Sequence, residues 1–479
     1  MSVAEQKIDS NNNFEIHNSP DLNINNNETK INSQINFNYI LIFSIFVVVI
    51  IAIIEILINC LGNNDDKNGF NNSIIAYYLI EEGDSDTLLF HSSYLKFIDN
   101  IKINDIERNI GCTVNFIPGK NKVEITFKNK LSSLEDLFLN CFSLNEINLF
   151  NLSSNEVTST ANMFRGCKNL ENIMFDNFET NKINNISYMF SGCSKLTSID
   201  LNAFKYDKII DIQGLFDGCS GLRKINFGNF NTINVINMSK LFSGCNSLTE
   251  INFPSDTFFE TREVIDMSYM FYNCINLESL NLNNFDTHNV IHMNNMFDNC
   301  KKIENLNLNS FETSSVEDMY FMFSGCKKLE SLSLRNFNTI KTKDMFGMFK
   351  DCENLKYLDI SSFDTTSVED MGEMFGHCTS LINIEISNFN VINVESMLGM
   401  FEKCENLISL NINYFYTKNL KEASYFVSNC KKLEQIDLFQ FYTDKLVQYD
   451  NMFENLPSNT RFICNKEVFK IQSYNEKCD

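Results

Sequence analysis

Residues Val290–Thr313 read VIHMNNMFDNCKKIENLNLNSFET. Met293, Met296, Phe297 and Cys300 fall at i, i+3, i+4 and i+7, the spacing of one face of a short helix. The same pattern recurs at Ile186, Met189, Phe190 and Cys193, at Met267, Met270, Phe271 and Cys274, and at Met371, Met374, Phe375 and Cys378. Gly or Asn usually precedes the cysteine, as at Gly192, Asn273 and Gly325, and these residues accept the left-handed conformation that ends helices. Beyond the cysteine, Leu306 and Leu308 alternate as one face of a strand. With Ile303 in place of the first leucine they form the L-x-x-L-x-L core of a leucine-rich repeat. Phe311-Glu312-Thr313 closes the unit, and the threonine hydroxyl suits a turn that bonds nearby backbone.

Outward from this stretch the cysteine keeps time. Cys141, Cys167, Cys193, Cys219, Cys245, Cys274, Cys300, Cys326, Cys352, Cys378, Cys404 and Cys430 are 26 residues apart, except that three extra residues separate Cys245 from Cys274. A thirteenth unit carries Leu456 in the cysteine's place. A period of this length marks a solenoid whose units bury their apolar faces only by stacking. The expected fold is an α/β repeat solenoid of leucine-rich-repeat type over residues 131–456, with about 13 units of 26 residues. It has a parallel sheet on the concave side and short helices on the convex side, the sheet running on the order of 60 Å. The insertion, Phe253–Glu260, reads as a bulged loop after which Phe259 and Thr261 restore the register. Short alternating runs before the repeats predict a β-rich N-terminal cap over 74–130, and 457–479 form a C-terminal cap.

The full unit, V-x-x-M-x-x-M-F-x-x-C-x-x-L-x-x-L-x-L-x-x-F-x-T, also stands clearly at Val264–Thr287, Val316–Thr339 and Val368–Phe389. It resembles the BspA-like leucine-rich-repeat surface proteins over roughly residues 131–456. The resemblance implies an exported or displayed protein that binds other proteins or host surfaces.

Residues 1–38 are polar and Asn-rich and read as disordered. Residues 39–61, YILIFSIFVVVIIAIIEILINCL, are long enough for a transmembrane signal-anchor helix, with Glu55 reaching toward one interface. Residues 62–73 read as a polar linker. The expected protein is single-pass, at the plasma membrane or cell surface. On the resemblance its C-terminal domain is extracellular.

A net charge of −22 argues against nucleic acid as a partner. The sequence has no Walker loop, dinucleotide fingerprint or nucleophile elbow, so no enzymatic activity, cofactor or small-molecule substrate is expected. His288 and His292 have a metal-compatible spacing without a recurring third ligand, so no metal is assigned. The twelve thiols in register fit a metal array and a disulfide chain poorly, and read as buried core. Cys464 and Cys478 lie outside the ladder and are a candidate disulfide closing the C-terminal cap. The polar strand positions form the candidate ligand face: Asp200, Asn226, Asn281, Asn307, Ser333, Tyr357, Asp359, Glu385, Asn411, Asp437 and Phe439. Tyr357 and Phe439 are the aromatic anchors of that set. A protein or glycan ligand is expected there. Two other readings stay open: a surface spacer without a specific ligand, and an intracellular membrane-tethered scaffold.

Overall fold

A computed structural model describes residues 72–83, 86–202, 204, 208–254, 259–471 and 477–478. Strands β1 (Ser73–Ile80), β2 (Thr87–Leu88), β3 (Ile98–Ile103), β4 (Ile106–Arg108), β5 (Thr113–Val114) and β6 (Gly119–Phe127) precede the repeats. The repeats contribute β7 (Leu144–Asn148), β8 (Asn172–Met174), β9 (Ser198–Asp200), β10 (Lys224–Asn226), β11 (Glu250–Ile251) and β12 (Ser279–Leu280). They continue as β13 (Ser331–Ser333), β14 (Tyr357–Asp359), β15 (Ser409–Asn411), β16 (Gln435–Leu438) and β17 (Arg461–Cys464). Repeat strands pair in parallel one period apart, as in Ser331↔Tyr357 and Ser409↔Gln435.

The first coil is sealed by the preceding sheet. Its strand order is β4-β3-β6-β1-β7-β8, and antiparallel β1 covers the edge of β7. Tyr94 donates its hydroxyl to the carbonyls of Ser133 and Glu135, and the His91 amide donates to Leu137. At the other end β17 adds a final parallel strand, and a disulfide joins Cys464 to Cys478.

The expected convex helices are not there. Among the described residues the one helical element is a 3-10 turn at Ser92–Phe97, before the repeats. The fold is a β-solenoid, and the stretch read as a helix is a pair of tandem turns. In the unit quoted above, the amides of Met296 and Cys300 donate three residues back, to Met293 and Phe297. The amides of Met293, Asn295, Phe297 and Asn299 instead donate to Asp318, Tyr320, Met322 and Ser324 of the next coil. Asn295 and Asn299 both have positive φ, which ends each turn after four residues. A turn of four residues and a helix of 3.6 both place i, i+3, i+4 and i+7 inward, so the apolar spacing suits either. Cross-coil hydrogen bonding favours the turns, since an α-helix would spend those amides within its own segment. A continuous ladder of parallel bridges, from Ser159↔Asn185 to Glu422↔Gln448, leads into these turns on successive coils.

The core is built of columns. Eleven phenylalanines from Phe138 to Phe401 stack coil on coil, with centroids 5.3–5.9 Å apart and planes within 15°. The stack turns edge-on at Phe426, because Val427 occupies the next ring position. The threonines bond to the neighbouring coil rather than their own turn. Thr313 Oγ1 donates to Asn338 O (3.0 Å) and accepts the Asn338 amide (2.8 Å). Across the insertion, Phe259 is buried against Phe253 and Phe285, and Thr261 Oγ1 donates to Asp286 O, so both columns continue.

The membrane reading is also corrected. No helix among the described residues is long and apolar enough to cross a membrane. The segment 39–61, on which the anchor and the surface localisation rested, lies outside the described residues, as do 1–38 and most of the linker. Neither expectation is carried further.

Candidate binding face

Each short strand presents outward residues in columns separated by two positions, because a strand alternates faces. The column nearest the strand start contains Asn172, Ser198, Ser279, Asn305, Ser331, Tyr357, Asn383 and Ser409. All are exposed, and their side chains form no hydrogen bond among the described residues. Tyr357 is 74% exposed, the most open aromatic ring on this face.

The next column holds most of the residues singled out from sequence, and its side chains are occupied. Asp200 accepts the Asn202 amide (2.8 Å), Asn226 that of Gly228 (3.2 Å), Asn281 that of Asn283 (3.1 Å) and Asn307 that of Asn309 (3.1 Å). Asp359, Glu385, Asn411 and Asp437 do the same for Ser361, Ser387, Asn413 and Phe439. These are Asx-type turns that steer the chain off the strand, which explains the run of Asn, Asp and Glu there. Ser333 Oγ accepts from Arg335 Nε (3.3 Å), while Arg335 also reaches Asp359 (2.9 Å). The Ser361 hydroxyl and amide, then Arg335, hold the Asp359 carboxyl below its ordinary range, and Ser387 does so for Glu385. Phe439 stands one column further on and is half exposed.

Two grooves open along this face. One, of about 420 Å³, is lined by Ser279, Asn305, Asn307, Ser331 and Ser333. The other, of about 770 Å³, lies over Asn172, Met174, Ser198 and Asp200 near the first coils. Residue type alone does not separate the free column from the capping column, because Asn172, Asn305 and Asn383 are free while Asn226, Asn281 and Asn307 cap; the start of the turn decides it. An Asn, Asp or Glu two residues before an exposed turn residue is a turn acceptor first.

The cysteine column is not chemically available. Each thiol from Cys167 to Cys430 donates to the carbonyl of the stacked phenylalanine in the preceding coil, at 3.0–3.3 Å. Burial pushes the thiols up, to about 12 for Cys274 and Cys430. Thiolate chemistry therefore does not operate there. Among the described residues no three His, Cys, Asp or Glu side chains gather where they could hold a metal. His288 pairs with Asp286 (2.6 Å), whereas His292 sits in the bridge ladder between Asp266 and Asp318.

That ladder carries a pH signature. Asp211, Asp318, Asp344 and Asp370 occupy it, and burial raises the pKa of each. A carboxyl raised above its unfolded value of about 4 binds more protons in the native state, so stability falls as pH rises through that window. Carboxylates held low by lysine, such as Glu156 by Lys182 and Glu317 by Lys343, act oppositely but only below about pH 4, where the unfolded groups protonate. The melting temperature of the full chain is therefore expected to rise as the pH is lowered from neutrality toward about pH 4. The triple variant Asp318→Asn, Asp344→Asn, Asp370→Asn keeps the turn acceptors and should melt higher at pH 7, with a flattened profile. A wild-type melting temperature that is flat or falls over that interval would refute this account.

The molecule is thus a β-solenoid repeat protein. Residues 132–256, 249–357 and 343–465 match the family described as "Mycoplasma protein of unknown function, DUF285", and the chain belongs to that family. No curated protein matches it. Among solved structures it is similar to the TLR13 chain of a TLR13–ssRNA13 complex, at 15% identity and a TM-score of 0.25, covering 63% of this chain and 48% of that one. It spans about half the length of that receptor chain. It is also similar to a leucine-rich repeat protein from Eubacterium ventriosum, at 15% identity and a TM-score of 0.20, covering 65% of this chain and 87% of that one.

Proposed function

We propose that this protein is a non-enzymatic binding protein that holds a protein or glycan ligand along the outer column of its strand face. The observation that carries this reading is the contrast between adjacent columns. Capping residues such as Asp359 and Asn411 spend their polar groups on the fold, while Ser331, Tyr357, Asn383 and Ser409 leave theirs to solvent. A stacked solenoid offers such a column as an extended surface, and Tyr357 gives it an aromatic anchor. The resemblance of the repeat unit to BspA-like proteins supports the same reading.

The test presents the full chain to an array of glycans and extracellular-matrix proteins. Tyr357→Ala, Ser331→Arg and Ser409→Arg should each weaken the captured ligand by about tenfold or more without moving the melting temperature. Binding that survives all three substitutions, or the absence of any captured ligand, would overturn the proposal.

A further inference from the structure

One position of the coil changes character over four successive units. The residue just before the bridge ladder is Ile210, Ile236, Ile265 and then Ile291, while the next five equivalent residues are Glu317, Lys343, Glu369, Glu395 and Lys421. The later coils show that the fold does not need an apolar side chain there. Lys343 pairs with Glu317 (2.8 Å) and Lys421 with Glu395 (2.7 Å) across neighbouring coils. Ile210, Ile236 and Ile265 are instead 43%, 43% and 41% exposed, and Ile233 beside them is 43% exposed. Ile210, Ile233 and Ile236 line a groove of about 720 Å³ whose rim carries Lys182, Lys208, Glu260, Arg262 and Glu263. Four rungs at about 4.8 Å make the stripe roughly 14 Å long.

The charges around this stripe are not uniform. Lys182 is neutralised by Glu156 (2.6 Å), and Arg262 lies 3.8 Å from Asp286. Lys208, Glu260 and Glu263 have no ion pair among the described residues. The unpaired cation lies on the coil of Ile210, and the unpaired carboxylates lie toward the coil of Ile265. The patch therefore has an aliphatic centre at Ile236, a positive end and a negative end. A two-fold axis through such a patch sets the positive end of one copy against the negative end of the other, with isoleucines facing isoleucines. Complementary charge with an apolar centre is the pattern of a self-recognising interface.

We propose that this face is an isologous interface with a second copy of the same chain, centred on Ile236 and aligned by Lys208 against Glu263 of the partner. It lies apart from the outer strand column, so both surfaces can be used together.

Analytical ultracentrifugation of the full chain, up to about 100 µM, tests this directly. The wild type should show a reversible monomer–dimer equilibrium. Ile236→Asp should weaken it by about a hundredfold, and Lys208→Glu or Glu263→Lys alone by about tenfold. All three substitutions lie at exposed positions, so unchanged melting temperatures show that folding is intact. Mixing Lys208→Glu with Glu263→Lys should restore a heterodimer, since each contact then joins opposite charges. A monomeric wild type over this range would overturn the proposal, as would a mixture that fails to recover dimer.

Discussion

Phe297→Ala is expected to lower the unfolding free energy by about 3–5 kcal/mol. The ring is fully buried and stacks on Phe271 and Phe323 at 5.6 Å on either side. Its backbone is fixed as well. The amide donates to Met322, and the carbonyl accepts both the Cys300 amide and the Cys326 thiol. The surrounding coils cannot close over the missing ring, because the amides of Met293, Asn295, Phe297 and Asn299, with that of Glu317 donating back to Ile291, set their separation, so the cavity persists. Each coil contacts only its neighbours, so the loss falls on one interior junction and should open the solenoid there first. Equilibrium urea unfolding, with hydrogen exchange mapped along the chain, reads both effects. Phe297→Leu, which keeps most of the volume, should cost less than half as much. A loss below about 1 kcal/mol for the alanine variant would show that the column is not a main source of stability.

Thr339→Val is the second large effect, and it separates hydrogen bonding from packing. Thr339 Oγ1 donates to Asp364 O (2.8 Å) and accepts the Asp364 amide (2.9 Å) in a site with no solvent exposure. Valine has nearly the same shape but strands that amide and carbonyl without partners. At about 1–3 kcal/mol for each of the two unsatisfied groups, the expected loss is about 2–6 kcal/mol. Thr339→Ser keeps both bonds and loses one methyl, so it should cost about 1 kcal/mol. Urea unfolding of the two variants gives the order directly, and a valine variant as stable as the serine variant would remove these bonds from the account of the fold. The same geometry repeats at Thr261, Thr287, Thr313 and Thr365, so any of them serves as a replicate.

The threonine column shows how far spacing alone could be read. Phe-x-Thr was visible as a recurring turn, but the partner of the hydroxyl was not, because it lies 25 residues on in the next coil. The tandem turns have the same origin. Asn299 before Cys300 signalled a left-handed residue, and it is one. The second left-handed position, four residues earlier, is Asn or Gly in some coils, as at Asn295 and Gly214, but in others it is Tyr188, Lys240, Tyr269, Phe321 or Glu373, types that do not signal positive φ. At Tyr188 and Phe321 a glycine in the next coil makes room for the ring, whereas Tyr269 and Tyr425 are followed by Asn295 and Asn451. A Cβ on Gly214 would meet Tyr188 at 2.3 Å, and one on Gly347 would meet Phe321 at 2.4 Å. A pairing of that kind is legible only once the coils are stacked.

The candidate face divides along the same line. The polar strand positions were readable from the Leu-x-Leu alternation. Which of them are free was not, because capping by Asp200 or Asp437 depends on the path of the chain two residues later. The isoleucines at 210, 236 and 265 look like core residues in sequence, and only their exposure marks them as surface. By itself the sequence determined the 26-residue period, the inward apolar set, the in-register columns and the site of the insertion, all of which follow from local spacing. The tertiary structure decided turn against helix, the partners of each thiol and threonine, and which polar groups remain available. Those outcomes depend on hydrogen bonds to the neighbouring coil, which spacing within one unit does not encode.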